Sequence, residues 1–393
     1  MTLRVCLFVR HMLPVIEGRR DGFGGAEIEM YNASVALSRQ PGVSVTVVTL
    51  GEEGKPQEPF EHRGLRVVPV PYERINAEGR GRLGRAWMRV RYGLRLLRHL
   101  MAVPADAYVT KLASYEMPFI YLAARLRRRP LVYRFASDLE LSRDSLTSRI
   151  FAGQTFWAGM FIRTLGWCAA RMAQTEVQAR EIKRNYGLDA VVIGNAHEMP
   201  ARVAPAAERT SVLWVGRCHP WKRADLFLDL AALLPHRHFV MIAPALKDHA
   251  ELFESVSRRA ASLDNVEFSA GVAPAEMPAY YNRARVMVMT SEVEGFPNVL
   301  IEALKSGTPT VSLHLNPDNV LLDASQAGIQ PAPGFFLPGF GESFPALVER
   351  FFTDHCLWEN CSRRAREIAL KRFSADTVAA QYVELLRGIV ESR

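Results

Sequence analysis

The segment Thr290-Ser291-Glu292-Val293-Glu294-Gly295-Phe296-Pro297-Asn298-Val299-Leu300-Ile301-Glu302-Ala303 carries the residue types best suited to chemistry. An apolar run ends at Thr290, so a buried strand should stop there and a polar loop should follow. Pro297 then stands where a helix would begin and Gly307 where it would end. Glu302 is thereby placed about one and a half turns into a helix, with Glu294 on the loop ahead of it. Both carboxylates can point into the space beyond the strand end. The first-turn amides of such a helix attract phosphate, and Gly295, Phe296, Pro297, Asn298 and Val299 form the turn that would present them. A carboxylate pairs well with vicinal hydroxyls, so two beside a phosphate site suit a sugar nucleotide. Either glutamate alone reads as readily as a solvated charge; the spacing behind a strand makes the pair a candidate site.

A second cluster is Trp214-Val215-Gly216-Arg217-Cys218-His219-Pro220-Trp221-Lys222, where another strand should end. Arg217 offers a planar fork for phosphate oxygens and Lys222 a mobile point charge, and together they can neutralise a departing diphosphate. His219 and Trp221 read as loop packing. A third is Gly22-Phe23-Gly24-Gly25-Ala26-Glu27, at the start of the first long helical pattern. Its glycines let a backbone approach a ligand closely, but Glu27 occupies the place of the last glycine in G-x-G-x-x-G, which disfavours a dinucleotide.

The elements that must position these residues alternate along the chain. Strand-like runs fall near 3–9, 43–50, 65–70, 106–111, 131–135 and 190–193, then 212–216, 238–243, 266–269, 286–290 and 309–312. Helical patterns such as 26–39, 116–127 and 176–186 lie between them, so parallel sheets covered on both faces are expected. The proline- and alanine-rich stretch from Glu198 to Glu208 reads as a linker. At 393 residues, 49% hydrophobic and 23% charged, the chain can bury two cores and is not mostly disordered. No apolar run is long enough to span a membrane. Five scattered cysteines without a C-x-x-C pair read as reduced residues of a cytosolic protein. The net charge of +8 points to an anionic partner without naming it.

These motifs together resemble the family 4 retaining glycosyltransferases, also called glycosyl transferases group 1, whose fold (GT-B) is α/β with two facing Rossmann-like domains. Gly24-Gly25-Ala26-Glu27 resembles the family's glycine loop, and the run from Ala173-Gln174-Thr175-Glu176 through Val191 to Ala196 its segment before the linker. Gly216-Arg217 with Lys222 resembles its G-R-x4-K, and Glu294 with Glu302 its E-x7-E. Phe373-Ser374 and the helix after it resemble the tail that returns to the N-terminal domain. The resemblance implies an acceptor-binding domain at 1–200, a nucleotide-sugar domain at 201–372 and a returning helix at 373–393. It assigns the diphosphate to Arg217 and Lys222, the ribose to Glu302, the transferred sugar to Glu294, and support of the phosphates and acceptor side to the amides of Gly24 and Gly25.

The implied donor is a UDP- or GDP-sugar, and the implied acceptor a hydroxyl of a glycan or glycolipid. No D-x-D triplet occurs, which agrees with catalysis that needs no metal or other cofactor. A sugar-nucleotide epimerase or a degenerate binding protein of the same fold are the alternatives. Many family members carry a histidine after the fifth N-terminal strand, where this chain has Ala136; Asp138 either takes over that role or caps the following helix. Finally, 80–100 holds seven arginines and no acid, with Trp87, Val90, Leu94 and Leu97 at helical spacing. That stripe either rests on an anionic membrane, placing the protein at its inner face, or packs on the N-terminal sheet. No nucleic-acid-reading module accompanies the charge.

Overall fold

The apolar runs become parallel strands buried on both faces. A computed structural model describes residues 2–19, 24–53, 57–72, 82–323, 332–337 and 343–392. The chain divides into two units, Met1–Glu198 with Ser374–Arg393, and Met199–Phe373.

The strands of the first unit are β1 (Leu3–Phe8), β2 (Val43–Glu53), β3 (Phe60–His62), β4 (Leu65–Tyr72), β5 (Ala107–Lys111), β6 (Leu131–Arg134), β7 (Ala170–Ala173) and β8 (Val191–Val192). They lie in the order β3-β4-β2-β1-β5-β6-β7-β8, and only β3 runs antiparallel to its neighbour. In register, Val5 lies opposite Val45 on one side and Ala107 on the other. The sequence patterning missed β3 and β7. The former has three residues, and the Ala-Arg-Met-Ala of β7 lacks the β-branched residues that mark a strand.

The helices between these strands are α1 (Leu13–Ile16), α2 (Gly25–Ser38), α3 (Arg82–Ala102), α4 (Met117–Leu126), α5 (Arg143–Ser145), α6 (Thr155–Trp167) and α7 (Glu176–Tyr186). Helix α7 shows local start and stop chemistry. The Thr175 hydroxyl accepts from the Gln178 amide at 2.9 Å, and Gly187 closes the helix at φ 71°. One face of the sheet buries Phe8, Leu50, Tyr108 and Tyr133 against Leu96, Ile120 and Phe161. The other buries Val5, Val47 and Val109 against Met30 and Ala33.

Helix α3 divides the apolar stripe read from its spacing, with Leu97 partly buried against the core. The core face is Tyr92, Leu96 and Leu100, while Trp87 and Leu94 are exposed. Gly93 is required at the contact with α4, because a Cβ there would lie 2.3 Å from the Phe119 ring. Arg80, like Gly22 and Phe23, lies outside the described residues.

The second unit has β9 (Ser211–Val215), β10 (His238–Ile242), β11 (Val266–Ser269), β12 (Ala284–Met289), β13 (Thr310–Ser312), β14 (Leu322–Asp323) and β15 (Gly334–Phe336). Their order is β11-β10-β9-β12-β13-β15-β14, all parallel. Around them lie α8 (Ala224–Leu233), α9 (Ala250–Ala261), α10 (Met277–Arg283), α11 (Asn298–Lys305), α12 (Ser343–Thr353) and α13 (His355–Phe373). The chain then turns at Ser374, whose hydroxyl accepts from the Thr377 amide at 3.2 Å to start α14 (Ala375–Glu391). Helix α14 belongs to the first unit, where Val378, Ala379, Tyr382 and Leu386 join the core beside Met30 and Ala33.

Candidate functional site

Strands β9 and β12 are neighbours, so the two most informative motifs emerge side by side at their carboxyl ends. A buried hydrogen-bond chain ties them together. The Trp214 indole donates to the Thr290 hydroxyl at 2.9 Å, and that hydroxyl donates to the Lys222 carbonyl at 2.6 Å. The Glu292 amide donates to the Trp221 carbonyl at 2.8 Å. With both backbones held, the Lys222 ammonium donates directly to the Glu294 carboxylate, and both side chains are mostly buried. Gly216 keeps this corner tight, since a Cβ there would lie 3.0 Å from the Trp214 ring.

Pro297 is the residue before α11, with Asn298 and Val299 its first two residues. Phe296 is buried against Phe373 at 4.7 Å, which anchors the loop containing Gly295. Glu302 sits in the middle of α11 and accepts from the Lys305 ammonium at 2.9 Å. Each carboxylate of the pair thus has its own lysine. Lys305, which sequence reasoning passed over, had a signal: it stands three residues after Glu302 on the same helix face. Arg217 is exposed at the same strand edge. The His219 ring stacks on Trp221 at 3.6 Å, and burial, then the charges of His249, Arg217 and Lys222, hold its pKa below the ordinary value. Cations and carboxylates thus alternate along this edge.

In the first unit Gly24 and Gly25 form the N-cap and first residue of α2. The Gly24 amide donates to the Glu27 carboxylate at 2.9 Å, so the residue that breaks the dinucleotide fingerprint is the helix's own cap. A phosphate at Gly24 would have to displace it. Two residues on, Glu29 is fully buried between two cations: Lys111 at the end of β5 donates to it, and Arg134 at the end of β6 lies 2.9 Å away. Arg134 also donates to the carbonyls of Ile193 and Gly194 at 3.0 Å and to the Asn195 side chain at 2.8 Å. Burial opposes ionisation of Glu29, but Arg134 and Lys111 outweigh it and hold its pKa below the usual carboxylate value. The sequence signal for this triad was a charge ending each of two apolar strands.

Beyond β6, the Asp138 carboxylate accepts from the Gln178 side chain at 2.8 Å. Asp138 is the first residue of a short helical turn whose preceding residue, Ser137, makes no side-chain cap. Beneath Ala136 lies Glu140, fully buried, accepting from the amides of Ala136 and Ala113 at 3.0 and 3.2 Å and from the Tyr133 hydroxyl at 3.1 Å. It ties the loops after β5 and β6 together. Burial pushes its pKa up to about 7 despite those donors. A raised pKa means that the native state keeps a proton the unfolded chain releases. The stability this acid contributes is complete below about pH 4.5 and is lost as pH rises through about 7, a change on the order of 3 kcal/mol. Glu140→Gln should flatten that slope in urea unfolding across the interval; an unchanged slope would assign the titration elsewhere.

Two family descriptions match this chain: "Glycosyl transferase 4-like domain" over residues 24–196 and "Glycosyl transferases group 1" over 209–334. The D-inositol 3-phosphate glycosyltransferase of Streptomyces bingchenggensis is 26% identical over 55% of this chain and 53% of its own length. The chain matches about half the length of the curated relatives it resembles. Among solved structures, sucrose-phosphate synthase from Thermosynechococcus elongatus superposes with a TM-score of 0.77 at 16% identity, covering 100% of both chains. Anabaena HepE, in complex with UDP and glucose, superposes at 0.71 with 17% identity over 98% of this chain and 100% of its own. At these identities the superpositions show the fold: α/β with two parallel-sheet units, the GT-B architecture.

Proposed function

Since this chain belongs to the glycosyl transferases group 1, we propose that it moves a sugar from a UDP- or GDP-sugar to a hydroxyl acceptor with the anomeric configuration retained and no metal required. The observation that carries the reading is the Lys222–Glu294 contact, a cation and a carboxylate locked together at the ends of two adjacent strands. A donor diphosphate attracts Lys222 and Arg217, while Glu294 turns to the hydroxyls of the transferred sugar and Glu302 to the ribose. The loop and helix start at Gly295, Phe296, Pro297, Asn298 and Val299 line the donor, and the amides of Gly24 and Gly25 are the first unit's candidates for supporting its phosphates.

As the glycosidic bond breaks, negative charge grows on the diphosphate, and the fixed cations stabilise it there. The leaving phosphate takes the acceptor proton while an oxocarbenium-like sugar is attacked on the same face. The protein therefore supplies position and charge rather than a nucleophile. Asp138, fixed by Gln178, orients the acceptor hydroxyl. The acceptor is a lipid-linked or envelope glycan, handled in the cytoplasm at the inner face of the membrane. The UDP and glucose held by Anabaena HepE support a donor of this class.

The test is a panel of nucleotide sugars incubated with the protein without added metal, reading nucleoside diphosphate release and thermal shift together. One donor should stabilise the protein and release its diphosphate. No response to any nucleotide would overturn the proposal.

A further inference from the structure

Helices α3, α4 and α6 pack side by side over one face of the first unit's sheet. None of the three contains an aspartate or a glutamate. Their basic residues include Arg91 and Arg98 on α3, Arg125 on α4 and Arg163 on α6, all exposed, and Arg127 and Arg128 follow α4 directly, also exposed. A surface helix normally mixes both signs of charge; an acid-free face over three adjacent helices sets up a positive field with nothing in those helices to offset it.

The same face is where the apolar surface lies. Eleven large apolar side chains are exposed among the described residues, and Trp87, Leu94, Leu122, Leu126, Phe156 and Trp167 all stand on these helices. Phe156 is 68% exposed, Trp87 65% and Trp167 54%. Between them runs a groove of about 520 Å³ lined by Val90, Pro118, Phe119, Trp157 and Met160, among others. Exposed apolar side chains scattered singly need no explanation, but a contiguous aromatic patch rimmed by cations does. Aromatic side chains at the patch and arginines around it match the two layers of a lipid interface, acyl boundary and anionic headgroups.

We propose that the outer face of α3, α4 and α6 is a docking surface for an anionic lipid bilayer, with Trp87, Leu94, Phe156 and Trp167 entering the interface and the surrounding arginines pairing with lipid phosphates. The surface continues to the sheet edge. Trp157 of the groove packs edge-on against Tyr115 at 6.2 Å, and the Tyr115 hydroxyl accepts from Arg10, just beyond β1, at 2.9 Å. A substrate carried in the bilayer would therefore emerge beside the carboxyl ends of β1 and β5. The docking stands without the transferase reading; only the conclusion that the acceptor is lipid-borne rests on that reading.

The experiment is cosedimentation of the full chain with vesicles of phosphatidylcholine alone and of phosphatidylcholine mixed with phosphatidylglycerol, at low and at physiological salt. Wild type should bind the anionic vesicles, and weaken with salt. Arg98→Glu/Arg125→Glu should lose about tenfold or more in partitioning, because each basic residue at the surface is worth about 1 kcal/mol. Phe156→Ser/Trp167→Ser should lose binding while keeping an unfolding midpoint near the wild-type value, since both side chains are more than half exposed. Equal binding by wild type and both variants, no binding to anionic vesicles, or a patch-dependent dimer without vesicle binding would each overturn the proposal. Thermal shift with nucleotides, measured on the same variants, reads the transferase proposal separately: its failure would leave the vesicle result standing.

Discussion

Lys222→Ala should lower kcat/KM for sugar transfer by about a hundredfold to a thousandfold, the scale seen when a fixed group facing developing negative charge is removed. The loss should fall mainly on kcat, because the diphosphate gains charge only as the bond breaks. Glu294→Ala should cost as much by another route: it removes the sugar's partner and leaves Lys222 without the carboxylate it touches. Because the two side chains are in contact, the double variant should lose less than the sum of the single losses. Initial rates of nucleoside diphosphate release, with acceptor present, decide the matter. A Lys222→Ala protein within a few fold of wild type would remove this lysine from the reaction.

The second large effect is on stability. Glu29→Ala strands Lys111 and Arg134 as two buried cations without a carboxylate, and should cost about 3–5 kcal/mol in this fully buried triad. Lys111→Met should cost less, because Glu29 keeps Arg134 and methionine fills the lysine's space. Urea unfolding of the two variants gives the ranking directly. A Glu29→Ala protein as stable as wild type would mean that water reaches the triad.

What the sequence disclosed, and what it withheld, follows from the range of the interactions involved. Helix α7 was readable because its signals are local, a threonine cap at one end and a glycine at the other. Strands β2, β4 and β12 were readable because they are long apolar runs. Helix α6 was not: Thr155–Trp167 is apolar on nearly all sides, so no face stands out. The pairing of Lys222 with Glu294 was hidden for a different reason. The two lie far apart in the chain, and only the adjacency of β9 and β12 joins them, through a tryptophan and a threonine that carry no functional signature. The Glu29–Lys111–Arg134 triad is likewise spread over α2, β5 and β6. On α3, spacing identified an amphipathic helix, but the choice of core face fell to Tyr92, Leu96 and Leu100, because Gly93 allows α4 to approach there.

Helix α14 is separated in the chain from the rest of the unit it completes by all of Met199–Phe373. During synthesis the first unit's strands leave the ribosome long before Val378, Tyr382 and Leu386, which close the core over Met30 and Ala33. The second unit is continuous and can fold as soon as it is made, whereas the first must wait with an apolar face open. The first unit's core can therefore be completed only after the whole of the second unit has been made. The open face in the interim is a natural place for a chaperone to hold.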